Sequence, residues 1–183
     1  MASIGDIAFQ ATELLRDTPL IEFSLWLSDE KASQWVQSHF FMVPILQMFH
    51  IFAIAMGFGS ALLFNLRLLG KSGAGMTISQ ASHRYLPWMW WSLLVLLISG
   101  IGMVLGDPVR LIVNAVFWLK IFLFVLTVLV TIIHLAVVRG KLKKAGFDAA
   151  RAQTTGLRFS AWAVIVLWVF VMAGGRFMAY APL

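Results

Sequence analysis

The stretch that decides the fold runs from Pro44 to Gly70 and reads PILQMFHIFAIAMGFGSALLFNLRLLG. It is long and apolar enough to cross a hydrocarbon core of about 30 Å. His50 lies well inside it, where water cannot solvate an imidazole, so this residue is a candidate functional group. Small residues around the histidine let a neighbouring helix or a flat ligand approach the backbone; they are Ala53, Ala55, Gly57, Gly59, Ser60 and Ala61.

The composition of the whole chain is that of a membrane protein. Of its 183 residues 61% are hydrophobic and only 12% are charged, which predicts an all-α, polytopic four-helix bundle in lipid. The absence of cysteine excludes disulfides, thiolate iron–sulfur clusters and c-type haem attachment. The net charge of +6 comes mainly from basic residues between apolar runs. These residues indicate the orientation of the spans in the membrane, and they do not form a nucleic-acid binding patch.

Residues 1–42 are predicted to form an amphipathic, interfacial segment, and residues 43–183 the bundle. The segment holds six of the eight acids in the chain. Its apolar residues recur at helical spacing from Ile4 to Leu15 and Pro19 ends the pattern, which predicts a short interfacial helix. A second helix is expected to begin near Ser28 as N-cap and to run toward Pro44, where it kinks or stops. No basic region followed by an apolar run opens the chain, so we expect no cleaved signal peptide.

Four spans are predicted, at about 44–70, 85–105, 111–138 and 159–180. The loops after the first and third spans are strongly basic. The positive-inside rule therefore places both loops in the cytoplasm of a bacterial inner membrane and both termini outside.

The histidines are predicted to lie at different depths. With a rise of about 1.5 Å per residue, His50 is about 25 Å and His134 about 7 Å from the inner surface, where His83 lies. His50 therefore cannot share a ligand with the other two, whereas His83 and His134 are candidates for an inner pair. His39 is expected at the interface, and Lys120 is expected to snorkel to the outer interface.

Glycines, thioethers and a cation are predicted near the level of His50, on the other spans. They are Gly100, Gly102, Met103, Met172, Gly174, Gly175 and Arg176. Small residues give room for a macrocycle, Met is a known second axial ligand of haem, and Arg can pair with propionates. The alternative is that the glycines allow close helix packing and the methionines fill space. His50, likewise, is either a cofactor ligand or a hydrogen-bond partner between helices.

Several ordered motifs resemble those of a group of short, uncharacterised bacterial four-helix membrane proteins. They are the step from Pro44 to His50, the run Asn65 to Gly70, Leu86-Pro87-Trp88, Ser99-Gly100, and Asn114-x-x-Phe117-x-x-Lys120. That group tends to have an acid where this chain has Asn65. The resemblance implies architecture more than activity. More loosely, four spans with intramembrane histidines are similar to small b-type cytochromes and copper-resistance membrane proteins.

The leading functional hypothesis is a membrane cytochrome that carries electrons on haem b, with quinone or a redox protein as its partner. His50 is the expected axial ligand, with Met103, Met172 or a partner subunit as the second, and His83 with His134 as a further inner pair. Arg176 is the candidate propionate partner. The alternatives are a non-redox subunit for assembly, anchoring or copper and small-solute handling, and a pigment protein with single-histidine ligation. A homo-oligomer or a larger complex is compatible with each.

No span contains a carboxylate, because Asp107 is the only acid between Lys31 and Phe147. Proton-coupled transport and hard-metal binding usually need one. The sequence therefore disfavours both of these functions.

Overall fold

The computed structural model describes residues 4–73, 75–142 and 154–177, which form eight helices and no strand. This confirms the predicted all-α class. The helices are α1 (Ile4–Arg16), α2 (Leu20–Asp29), α3 (Lys31–Ser38), α4 (Met42–Leu68), α5 (Ile78–Gly106), α6 (Pro108–Ile112), α7 (Ala115–Leu142) and α8 (Thr155–Phe177).

Helices α4, α5, α7 and α8 are long and apolar enough to cross a membrane. Large apolar side chains along them are exposed, including Phe52 at 66% and Ile133 at 63%. Polar side chains such as Ser92 and Thr127 are buried instead and bond to carbonyls of their own helix. An apolar exterior around polar groups is the arrangement that lipid favours. The chain is thus a multi-pass membrane protein in contact with a bilayer. Its location in the bacterial inner membrane and the position of both termini outside stay predictions.

The four spans begin two to seven residues from their predicted starts; α4 begins at Met42 (predicted at 44) and α8 at Thr155 (predicted at 159). At α5 and α7 the difference arises because side chains cap the first turns. Helix α5 begins at Ile78, seven residues before the predicted start at 85. There the Thr77 hydroxyl accepts from the Gln80 N–H at 3.1 Å, and the Gln80 amide oxygen accepts from the Thr77 N–H at 2.8 Å, which is a capping box. Helix α7 begins at Ala115, four residues after the predicted start at 111, because Asn114 accepts from Val116 N–H at 2.9 Å.

The N-terminal segment contains one helix more than predicted. Helix α1 is confirmed, but Pro19 is also the N-cap residue of α2, which runs through Ser28 and packs against α6. The predicted N-cap at Ser28 is therefore wrong; Glu30 precedes α3 instead, without a side-chain cap. His39 is extended at the end of α3, so it is not on the helix that carries His50.

The run Asn65 to Gly70 ends α4 in a Schellman motif. Gly70 adopts φ +71°, which a residue with a Cβ rarely does. Its N–H donates to the Arg67 carbonyl at 3.0 Å, and the Lys71 N–H donates to the Leu66 carbonyl at 2.9 Å. These two bonds satisfy carbonyls that the end of a helix leaves free.

The chain divides into two compact units. Unit 1 comprises residues 1–52, 95–122 and 172–183, and unit 2 comprises residues 53–94 and 123–171. Unit 1 has seven acidic and five basic residues, whereas unit 2 has one acidic and nine basic residues. Both basic loops that predict the cytoplasmic side belong to unit 2.

Candidate functional site

His134, on α7 in unit 2, is held in one orientation by a serine of α8. The side chain is 2% exposed, and its Nδ1 lies 2.9 Å from Ser160 Oγ. The serine hydroxyl donates to the Leu157 carbonyl at 3.0 Å, so its oxygen is left to accept from Nδ1–H. This network assigns the lone pair to Nε2. Nε2 is buried and has no hydrogen-bond partner within the described residues.

The same histidine lines a pocket of about 330 Å³. The other lining residues come from α7 and α8 and are Val130, Ile133, Val137, Lys141, Gly156, Leu157 and Ser160. Among the described residues, Lys141 is the only charged group in this lining, and its Nζ donates to Thr154 Oγ1 at 2.9 Å. The pocket thus combines apolar walls with one imidazole and one ammonium group.

His83, the predicted partner of His134, is on α5 in the same unit. Its side chain is exposed, and it is not among the residues that line the His134 pocket. In residues 4–73, 75–142 and 154–177 no group of three or more His, Cys, Asp or Glu is placed to hold a metal ion. The bis-histidine pairing stays a prediction.

His50, on α4 in unit 1, has the same kind of serine partner. Its Nδ1 lies 2.8 Å from Ser99 Oγ on α5, and that hydroxyl donates to the Val95 carbonyl at 2.6 Å. Nδ1–H therefore donates to the serine, and Nε2 carries the lone pair. The half-buried imidazole packs against α5, because a Cβ on Gly100 would lie 3.7 Å from His50 Cε1.

The other glycines of α5 near His50 face side chains of α4. A Cβ on Gly102 would lie 2.8 Å from Leu46 Cδ1, and a Cβ on Gly106 would lie 2.6 Å from Val43 Cγ2. At these two positions the glycines serve close helix packing, which the sequence analysis considered as the alternative to a macrocycle gap.

Lys120 of α7 also belongs to unit 1. Its Nζ lies 3.9 Å and its Cε 3.7 Å from the position of a Cβ on Gly175 of α8. Met103, Met172 and Arg176 are in the same unit; the two methionines are half-buried and the arginine is exposed. Their roles as ligands and propionate partner stay predictions.

Sequence reasoning found both intramembrane histidines but missed their serine partners as site residues, and it missed Lys141. The serines are separated from their histidines by 49 and 26 residues. Which serine meets which histidine depends on how the helices rotate about their axes. Only Ser99 stood in a recognised motif, and no local signal marks Ser160.

The comparison with protein families places these two sites within one matched region. The model of a family of unknown function, DUF6644, matches residues 40–181. The chain belongs to DUF6644. The DUF6644 match contains all four membrane-length helices and both histidine–serine pairs. Neither the curated proteins nor the solved structures contain a match to the chain. The expected membership in an uncharacterised family is thereby confirmed, while the similarity to b-type cytochromes stays a prediction.

Proposed function

We propose that this DUF6644 protein is a membrane-embedded b-type haem protein that carries electrons, with His134 Nε2 as an axial ligand of the iron. The observation that carries the proposal is the buried, unpartnered Nε2 of an oriented imidazole in a pocket of about 330 Å³. Two features support the proposal, namely the hydrogen bond that orients the imidazole and the composition of the pocket around it.

The hydrogen bond from His134 to Ser160 is the kind of contact that prepares a histidine for a metal. A ligating histidine almost always donates its other ring N–H to a nearby acceptor, which fixes the tautomer and the ring orientation. A buried acceptor that stays unsatisfied costs about 1–3 kcal/mol. A bound iron would use the Nε2 lone pair and remove that cost.

The rest of the pocket suits an amphiphilic tetrapyrrole. Its volume is at the low end of the range of about 300–1,000 Å³ for ligand pockets, so the pocket would hold part of a tetrapyrrole. A Cβ on Gly156 would meet nothing within 4 Å, so there is free space beside this residue of the lining. The Lys141 ammonium is the candidate partner of a propionate. Attachment would be non-covalent, because the chain has no cysteine.

We propose the role of an electron carrier because a haem at this position would be buried within a membrane span. Burial and the axial ligand are the means by which a protein tunes a haem potential. A lipid-soluble quinone is the proposed electron partner, because it can reach a centre in the bilayer. His50, with Met103 or Met172, is the proposed ligand set of a second haem in unit 1.

The experiment is quantification of haem by pyridine haemochrome in the purified full-length protein and in two variants. His134→Ala should lose the haem of unit 2, whereas His83→Ala, a matched change at an exposed histidine of the same unit, should keep it. Equal haem content in both variants would refute ligation by His134. A colourless wild-type protein from cells supplied with haem would refute the proposal as a whole.

A second candidate function follows from the single ligand in the pocket. Five-coordinate magnesium in a chlorophyll-type pigment needs only one histidine, and His134 is the only histidine that lines the pocket. The same preparation distinguishes the two. A haem gives sharp α and β bands on reduction with dithionite, whereas a magnesium pigment absorbs in the red and does not respond to dithionite.

A further inference from the structure

We propose that the connection from α4 to α5 forms a binding site for the phosphate group of an anionic phospholipid, with Arg84 as its main cation. The site is a pocket of about 440 Å³ lined by Gly73, Gly75, Met76, Gln80 and Arg84. It belongs to unit 2 and shares no lining residue with the His134 pocket. The inference goes beyond the proposed function and does not depend on it.

The polar side chains that line this pocket present hydrogen-bond donors. Gln80 Oε1 already accepts from the Thr77 N–H at 2.8 Å, so the amide NH₂ of Gln80 remains for a ligand. The Gly73 carbonyl accepts from the Met76 N–H at 3.0 Å. Arg84 adds a guanidinium, which has five N–H donors and no acceptor. Such a lining fits an anion, and the planar guanidinium can bond two oxygens of one phosphate.

The positive charge at the pocket has no counter-charge in the described residues of unit 2, none of which is Asp or Glu. Arg84 is exposed and has no hydrogen-bond or ion-pair partner in the described part of the chain. A second arginine packs against the lining, because a Cβ on Gly73 would lie 3.2 Å from Arg67 Cδ. Arg67 Nε is buried and has no hydrogen-bond partner among the described residues. A phosphate would supply the negative charge that both arginines lack.

The connection that forms the pocket is held at both ends. After the Schellman motif at Gly70, Lys71 Nζ lies 5.0 Å from the centre of the Trp162 ring on α8, which is a cation–π contact. At the other end, the capping box of Thr77 and Gln80 fixes the first turn of α5. These contacts form the pocket before a ligand arrives, so binding requires little additional ordering of the chain.

The surface of α5 beyond the pocket favours a lipid over a soluble phosphate. Gln80, Arg84, Trp88 and Trp91 follow at intervals of four, four and three residues, so they share one face of the helix. Trp88 is 58% and Trp91 62% exposed. This face therefore changes from hydrogen-bond donors to aromatic rings where the apolar run of the span begins.

This order of groups matches the order of groups in a phospholipid. Exposed tryptophans are typical of the level where headgroups meet acyl chains, and basic residues beside a span attract anionic lipids. The phosphate would bind at Gln80 and Arg84, and the first part of an acyl chain would contact Trp88 and Trp91. A soluble phosphate would leave the two tryptophans without a role.

The experiment measures the binding of dioleoyl phosphatidylglycerol and dioleoyl phosphatidylcholine to the delipidated full-length protein by native mass spectrometry. The two lipids have the same acyl chains and a phosphodiester, but only phosphatidylglycerol has a net negative charge. It should bind at least about fivefold more tightly, which is the effect of one basic residue next to an anionic lipid. Arg84→Gln should remove most of this preference, and Arg84→Lys should retain part of it. The control Arg139→Gln, at an exposed position on α7 of the same unit, should retain all of it.

A second pair of variants tests the pocket without changing an arginine. Met76 lines the pocket and is half-buried, and glutamate and glutamine are both unbranched and close to methionine in size. Met76→Glu places a negative charge in the lining and should weaken phosphatidylglycerol binding by about fivefold or more. Met76→Gln adds no charge and should weaken it less. Equal binding by these two variants would contradict the proposal.

Glycerol 1-phosphate distinguishes a lipid from a soluble phosphate, because it has the phosphate without acyl chains. It should not displace phosphatidylglycerol at equal concentration, and binding as tight as that of the lipid would overturn the assignment to a phospholipid. The proposal is also overturned if the two lipids bind alike. An equal loss of preference in Arg139→Gln and Arg84→Gln would likewise overturn it, since the basic residues would then attract the lipid without a site.

The outcome of this test is separate from that of the proposed function. Arg84→Gln and Met76→Glu leave His134 and Ser160 in place, so both variants should keep the haem content of the wild type. A colourless wild-type protein would refute the haem proposal and would leave the comparison of the two lipids unchanged.

Discussion

Gly57→Ala should destabilise the packing of unit 2, whereas the matched change Gly59→Ala should not. Both glycines lie within α4, two residues apart. A Cβ on Gly57 would overlap Ser92 Oγ and would lie 3.1 Å from Cη2 of Trp168, whereas a Cβ on Gly59 would meet nothing within 4 Å. The two variants therefore add the same methyl group to the same helix in a crowded and in an open position.

The expected loss of stability depends on how far the two neighbours of Gly57 can move to make room for a methyl group. Ser92 is fully buried and donates to the Met89 carbonyl at 2.7 Å; turning its hydroxyl away forfeits that bond, at about 0.5–1.5 kcal/mol. Trp168 is 2% exposed and has little room to move, so overpacking adds about 1–3 kcal/mol. Replacing Gly by Ala in a helix stabilises the helix by about 1 kcal/mol, because alanine has the higher helix propensity. The net loss of stability at Gly57 should be about 0.5–3.5 kcal/mol, and Gly59→Ala should be neutral or stabilising by up to about 1 kcal/mol.

The assay is reversible unfolding in mixed detergent micelles, followed by tryptophan fluorescence. The double variant Gly57→Ala/Ser92→Ala should recover part of the loss, because it removes the hydroxyl that the new methyl group overlaps, and the coupling can be read from a double-mutant cycle. If Gly57→Ala is as well tolerated as Gly59→Ala, the close approach of α4 to Ser92 and Trp168 is incorrect.

Three further predictions concern a helix end, a helix start and the proposed haem site. Gly70→Ala should cost about 1–2 kcal/mol in the same unfolding assay, because Gly70 has φ +71°. The control is Gly59→Ala, at a helical glycine where a Cβ would meet nothing within 4 Å, and equal losses would contradict the Schellman motif. Asn114→Ala should cost about 1 kcal/mol, as the loss of an N-cap does, and an unchanged midpoint would argue against the cap. Ser160→Ala should weaken haem binding in an absorption titration by about 10- to 100-fold by freeing the His134 ring; unchanged affinity would show that the serine does not orient the ligand.

The sequence was sufficient to predict the four spans, because a bilayer of fixed thickness demands an apolar run of fixed length. It was insufficient for the starts of these spans, which differ from the predicted ones by two to seven residues. The α5 start at Ile78 depends on the capping box of Thr77 and Gln80, and the α7 start depends on the cap at Asn114. Both signals are present in the sequence, but apolar runs alone do not show them. Helix α2 was missed because Pro19 was taken only as the end of a helix, although proline also suits the beginning of one.

The candidate sites were predictable only in part. An ionisable residue inside a span stands out in any sequence, which is why His50 and His134 were found. Depth arithmetic also separated them, and they belong to different units. Their pairing with Ser99 and Ser160 depends on how neighbouring helices rotate against each other. The packing of Gly102 and Gly106 against Leu46 and Val43 depends on the same rotation.

The central claim is that His134 binds haem iron through Nε2, and chemical rescue tests it most directly. His134→Gly leaves a cavity where the imidazole was, so added imidazole can take its place at the iron. The account predicts that this variant lacks the haem spectrum of unit 2 and that millimolar imidazole with haemin restores the Soret band and the reduced α band. His83→Gly should keep the wild-type spectrum without imidazole. A His134→Gly protein with the full wild-type spectrum in the absence of imidazole would contradict the account.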